Sequence, residues 1–281
     1  MEDTLSTVHG IVILIFVVTS MFGMGLSLTW PEIKKPLKNK SLVVKALLAN
    51  FILVPIIGIA MAKLIPIDEA MSTGLIIIAV VAGAPFIPKL VQIAKADVAF
   101  GVGFMFLVMI VTIFYAPIMI PLVIEGAGIS AIEIGKSLIV LMLIPLVIGL
   151  FIKARYQAAA DWLRGPMNQT STISLIVLLF LTVVIYYDLM WQLIGSGAFL
   201  VLLLFVFLCF IIGYFLGGSK KNIKQVMAIG TTQRNLAAAV LIAAQNFDDP
   251  SVITFIIAAA IVMIASLMIV SGEFARRKKK K

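Results

Sequence analysis

Arg234 is the only charged residue between Gln225 and Asn246, and it falls in the polar run Gly230-Thr231-Thr232-Gln233-Arg234-Asn235 of an otherwise apolar stretch. At 1.5 Å per residue it lies roughly 15 Å of helix beyond Lys224, about half of a hydrocarbon core roughly 30 Å thick. A guanidinium at that depth is costly to desolvate and needs partners, so it marks a functional site. Two roles fit its chemistry. It can stand in for a cation, its charge held by the carbonyl ends of broken helices. Alternatively, together with the positive end of a half-helix, it can receive an anionic substrate group through its planar fork of donors. No Asp or Glu lies at that depth in any apolar stretch to neutralise it, so both roles imply an anionic substrate.

Thr231, Thr232, Gln233 and Asn235 flank it, and Asn50 and Lys89 stand in two other apolar stretches; together they complete the candidate set. For Asn50 a hydrogen bond that glues helices together is an equal reading. For Lys89 the equal reading is a side chain that snorkels to the nearer membrane face.

The elements that must position these groups are membrane spans. Hydrophobic residues make up 62% of the 281, charged residues 12%, and the mean hydropathy is +1.18, so the charges are too few to cover a soluble surface. The net charge of +9 does not point to nucleic acid, because its basic residues cluster between apolar stretches. The lone Cys209 excludes an intrachain disulfide, and with the lone His9 it leaves no zinc set. Intramembrane hydrolysis would need a placed nucleophile and base, paired carboxylates or a metal, and none is present, so the chain reads as no enzyme and without a cofactor. Glu2 and Asp3 ahead of a long first apolar segment mark a retained span and not a signal peptide.

Nine spans are expected, at about 8–29, 42–64, 70–95, 98–124, 134–153, 168–187, 193–217, 223–246 and 251–270. Loop charges count them independently. Basic loops (Lys34 to Lys40, Lys95, Lys153 to Arg164, Lys220 to Lys224, Arg276 to Lys281) alternate with acidic ones (Asp68 and Glu69, Glu125 and Glu133, Asp188, Asp248 and Asp249). The positive-inside rule then puts the N-terminus outside and the C-terminus in the cytoplasm of a cell-membrane protein whose first partner is the lipid bilayer.

Two of these spans are broken. In the third, Pro85 and Pro88 cannot donate to the carbonyls of Val81 and Ala84; in the eighth, Gly230 with Thr231 and Thr232 is the weakest helical stretch. Irregular backbone at membrane depth persists only where protein buries it or where it lines a cavity. The two spans run in opposite directions, and spans 1–4 match spans 6–9 in the same inverted sense. That is the layout of an inverted-repeat transporter with its site at two discontinuous helices.

The run Met21-Phe22-Gly23-Met24-Gly25-Leu26-Ser27-Leu28, then Ala49-Asn50-Phe51 with Pro55, resembles the start of the bile acid:sodium symporter family. Pro85 with Ala94-Lys95-Ala96-Asp97-Val98-Ala99 resembles that family's first broken helix and the helix after it, and Gln233-Arg234-Asn235-Leu236-Ala237-Ala238-Ala239 its second. The Gln-Arg-Asn variant is similar to divergent bacterial members.

The resemblance implies two crossing discontinuous helices in a core of about 42–124 and 193–270, against a panel of about 8–29 and 134–187. It also implies cation ligands that this chain lacks. The family's Glu before the second break and Gln after it fall on Gly230 and Arg234, its hydroxyl ligands on Gly101 and Met105, and its Ser-Asn pair on Leu90 and Val91. Oxygens left for sodium would come from Asn50, Gln233 and Asn235.

The expected function is secondary transport of a small organic anion by alternating access without the family's usual sodium sites. The alternative is a sodium-coupled symporter with a rebuilt cation site. A receptor or scaffold is the reading of another class, and it would not require two antiparallel broken helices. An arsenite-type permease fits poorly, because Cys209 is at neither break.

Overall fold

The computed structural model describes residues 2–124 and 130–279; Glu125 and the terminal Lys280 and Lys281 lie outside the described residues. Every regular element among those residues is helical. In chain order they are α1 (Glu2–Ser27), α2 (Trp30–Leu37), α3 (Lys40–Leu48), α4 (Val54–Leu64), α5 (Glu69–Val80), α6 (Ile87–Ile93), α7 (Val98–Val123), α8 (Ala131–Leu138), α9 (Ile144–Arg155), α10 (Gln157–Ile185), α11 (Tyr187–Gly195), α12 (Ala198–Leu216), α13 (Lys221–Thr232), α14 (Leu236–Asn246) and α15 (Pro250–Lys279). A π-helical turn, Ala49–Leu53, joins α3 to α4, and another, Ile139–Leu143, joins α8 to α9.

Both π turns come just before a proline, Pro55 and Pro145. A proline has no N–H for the carbonyl four residues back, and a wider turn absorbs the mismatch. Phe51 is the residue whose carbonyl Pro55 leaves free, and the Tyr115 hydroxyl donates to it at 2.7 Å.

Eight helical segments are long and apolar enough to cross a membrane: Thr7–Ser27, Lys40–Leu64, Val98–Val123, Ala131–Arg155, Gln157–Ile185, Ala198–Leu216, Lys221–Asn246 and Pro250–Lys278. The expected third span is in pieces. Its first piece, α5, has 12 residues and reaches only about 18 Å. The chain is therefore an all-α polytopic membrane protein.

Three boundaries differ from the sequence reading. The sixth span starts at Gln157, because Lys153 pairs with Asp161 at 2.9 Å and ties the start of α10 to the end of α9. The seventh starts at Ala198, where Gly197 at φ +76 turns the chain out of α11. The last helix continues past 270 through the Glu273–Arg277 pair, 2.7 Å apart and one turn apart.

Packing sets the surroundings of the site. α1 lies against α9 and α10, with Gly25 and Gly149 at a backbone-to-backbone approach that admits no Cβ. α13 is buried from Gln225 onward between α6, α7, α12 and α15, and α5 packs on α4, α7, α14 and α15.

Candidate functional site

The first break runs from Val81 to Ala84. Helix α5 stops at Val80, one turn before Pro85, as the missing donor requires. The released backbone is held by α7. The Ala82 N–H donates to the Thr112 hydroxyl at 2.9 Å, and that hydroxyl lies 3.2 Å from the Ala82 carbonyl and 2.9 Å from that of Val108. Gly83, at φ +83, presses on the Met109 backbone where no Cβ would fit. Pro88 is not part of the break. It sits in the first turn of α6, where a missing N–H costs nothing.

The second break is Gln233–Asn235, a residue or two beyond the expected position. Gly230 lies inside α13, and its missing side chain makes room for the Phe104 ring. The helix continues to Thr232, and the interruption falls where Asn235 can cap the next one, its Oδ1 accepting from Ala238 N at 3.2 Å. A carboxylate at position 230 would meet Phe104 before it met an ion.

Arg234 joins the two breaks. It is 1% exposed, and Nε donates to the Ile78 carbonyl (3.0 Å), Nη2 to the Ala79 carbonyl (2.8 Å), and Nη1 to both Asn50 Oδ1 (2.7 Å) and the Thr231 carbonyl (3.1 Å). These acceptors have a common origin. Ile78 and Ala79 are in the last turn of α5, and Thr231 is in the last turn of α13, so their carbonyls have no helical N–H four residues on. They are also the negative ends of the two helix dipoles. Charge-assisted bonds of this kind contribute about 1.5–3 kcal/mol each against the cost of burying the charge. None of the four acceptors is a carboxylate, so the positive charge is spread over dipoles and not cancelled.

The π turn aims Asn50 at this point. Its Oδ1 faces the guanidinium, and its Nδ2 donates to the Ala46 carbonyl (2.9 Å) and to Thr231 Oγ1 (3.4 Å). Thr232 turns inward on its own helix, its hydroxyl bonding the Ala228 carbonyl at 2.8 Å. Gln233 Oε1 and Asn235 Nδ2 are buried without a protein partner. The structure therefore brings together Arg234, Asn50 and Thr231, with Gln233 and Asn235 beside them. Lys89 is exposed and stands apart. At the positions of the expected hydroxyl ligands, Gly101 packs on Val91 and Met105 is buried. Among the described residues no His, Cys, Asp or Glu cluster could hold a metal ion.

Sequence reasoning missed four contributors. The carbonyls of Ile78 and Ala79 carry no side-chain signal at all. Thr112 and Tyr115 had a weak one, as polar residues within a long apolar helix.

A polytopic helical bundle whose buried polar residues gather at helix interruptions has the layout of a secondary transporter. The chain belongs to the Sodium Bile acid symporter family, which it matches over residues 12–196. The match takes in the first break and ends before α13, so the second break lies beyond it. Family and architecture together support a secondary transporter of that family's fold, and a protein of this transporter family is not an enzyme. No curated protein matches the chain.

Proposed function

We propose that this protein is a secondary transporter of a small organic anion, working by alternating access in the cell membrane. The reading takes nine spans with the N-terminus outside, an inverted repeat, and a core carrying both interrupted helices that moves against a panel of α1 and α8–α10. α1 packs most closely on α9 and α10, while α5 and α13 both pack on α15, which supports that division, with α14 meeting α1 and α8 across the boundary. The observation that carries the site is the Arg234 guanidinium spread over Ile78, Ala79, Thr231 and Asn50. It favours the surrogate-cation role over the substrate grip, because four hydrogen bonds already engage both edges of the fork. A fixed positive charge without a carboxylate still makes the neighbourhood attractive to an anion, with Gln233 Oε1 and Asn235 Nδ2 as the unpaired polar atoms beside it.

Coupling has two readings, each with its own support. The family match backs the sodium-coupled symporter more directly than the sodium-independent one. Arg234 on the carbonyls, Phe104 packed against Gly230 and Val91 against Gly101 favour a resident charge where a mobile cation would otherwise sit.

Uptake of carboxylates and sulfonates into proteoliposomes, with sodium replaced by potassium or choline, separates them. Persistence of uptake supports the resident charge, and a steep rise with an inward sodium gradient supports the symporter. In the same assay Arg234→Lys keeps the charge and is expected to retain much of the flux, whereas Arg234→Gln abolishes it or makes it sodium-dependent. Normal flux in both variants removes Arg234 from the site.

A further inference from the structure

We propose that Lys278 is a latch that ties the two interrupted spans together at the basic end of the bundle and limits their movement. Its Nζ, in the last turn of α15, donates to the Lys95 carbonyl and to Asn222 Oδ1, both at 2.7 Å. These acceptors belong to different halves of the molecule. Lys95 ends the α6 piece of the first interrupted span, and Asn222 is the second residue of α13, which opens the other. One ammonium thus bridges positions 183 and 56 residues away in sequence.

The local backbone is shaped to present the first acceptor. α6 closes with a bond from Ala96 N to the Val91 carbonyl (3.0 Å) and one from Lys95 N to the Gln92 carbonyl (3.0 Å). That pair of bonds needs a left-handed residue at the reversal, usually glycine. Here Lys95 takes it at φ +53, the only non-glycine residue with positive φ among those described. A side chain in that conformation costs about 1–2 kcal/mol, and the exposed Lys95 carbonyl is what the conformation offers Lys278.

The second acceptor sits at a helix start with no side-chain cap, since Lys220 at the N-cap position offers no hydrogen bond. It also lines a cavity of about 660 Å³ between α3, α7 and α13, bordered by Asn39, Asp97, Lys221 and Ile223. Lys278 therefore holds one wall of an open cavity to the end of α6. Both bonds are exposed to water, which weakens charge-assisted contacts, so a strap of this strength opens and closes on a transport timescale instead of locking the bundle. The functional meaning of the latch rests on the transporter reading above, but its physical test does not.

The test uses full-length protein in liposomes, with Cys209→Ala and a reporter Ile223→Cys, a 9%-exposed position on the cavity wall. The rate of maleimide labelling reads opening of the α13 wall whether or not a substrate is known. Lys278→Ala is expected to speed labelling about tenfold, the loss of roughly 1.4 kcal/mol of closing free energy. Asn222→Ala, which removes one acceptor, speeds it less. The double variant labels no faster than Lys278→Ala alone, because both act through one contact. Lys278→Arg restores slow labelling. Equal rates in all variants, or additive effects in the double variant, overturn the latch.

Discussion

The two interruptions serve the same topological purpose with opposite chemistry. The first, Val81–Ala84, is held from outside: α7 supplies the Thr112 hydroxyl to its backbone and the Met109 main chain as a wall for Gly83. It contributes no side-chain polar atom to the site, only the carbonyls of Ile78 and Ala79. The second, Gln233–Asn235, is held by its own side chains. Asn235 caps the helix that follows, and Arg234 reaches across to the helix end left open by the first. One break is an acceptor formed by packing and the other a donor formed by sequence. On the proposed resident-charge reading, a pair of this kind keeps two negative helix ends together without an exchangeable ion.

Stability measurements on the purified protein in detergent can break that contrast. The largest effect is expected at Arg234. Arg234→Leu leaves three carbonyls and Asn50 Oδ1 without their donor, at about 1–3 kcal/mol for each buried acceptor left unsatisfied, and the melting temperature should fall furthest there. Arg234→Lys should lie between, because three donors on one nitrogen cannot reproduce the four bonds of the guanidinium fork. If Arg234→Leu melts at the temperature of the unsubstituted protein, the guanidinium does not hold the helix ends.

Gly83→Ala tests the other side of the comparison. It puts a Cβ into the Met109 backbone at a left-handed position, and overpacking with strain of this kind costs about 1–3 kcal/mol. A stabilising effect there would mean that the first break is loosely packed. The smallest change is expected for Asn235→Ala, a lost cap of about 1 kcal/mol. If the second break is held by its own side chains, that loss should persist when Thr112→Val has already loosened the first.

The contrast also explains which features were legible in the sequence. Pro85 lies one turn past the end of α5, where a missing N–H acts locally. Pro88 misled, because a proline in a first helical turn is harmless and composition does not say where the turn begins. Gly230 misled in the same way: its helix propensity is poor, but the space it leaves is filled by Phe104 from a segment more than a hundred residues away, and the helix persists. Asn50 was visible as a polar residue out of place, whereas its direction came from a π turn that Pro55 and Tyr115 set jointly.

By itself the amino-acid sequence determined the membrane class, the apolar segments, the presence of interrupted helices and the isolation of Arg234 from any carboxylate. All of these follow from hydropathy, from proline's missing donor and from the cost of desolvating charge, which act over a few neighbouring residues. Only the tertiary structure decided what answers that charge. The partners of Arg234 are main-chain carbonyls of Ile78 and Ala79, some 155 residues away in sequence. Every residue type carries such a carbonyl, and it becomes an available acceptor only where folding ends a helix against the guanidinium.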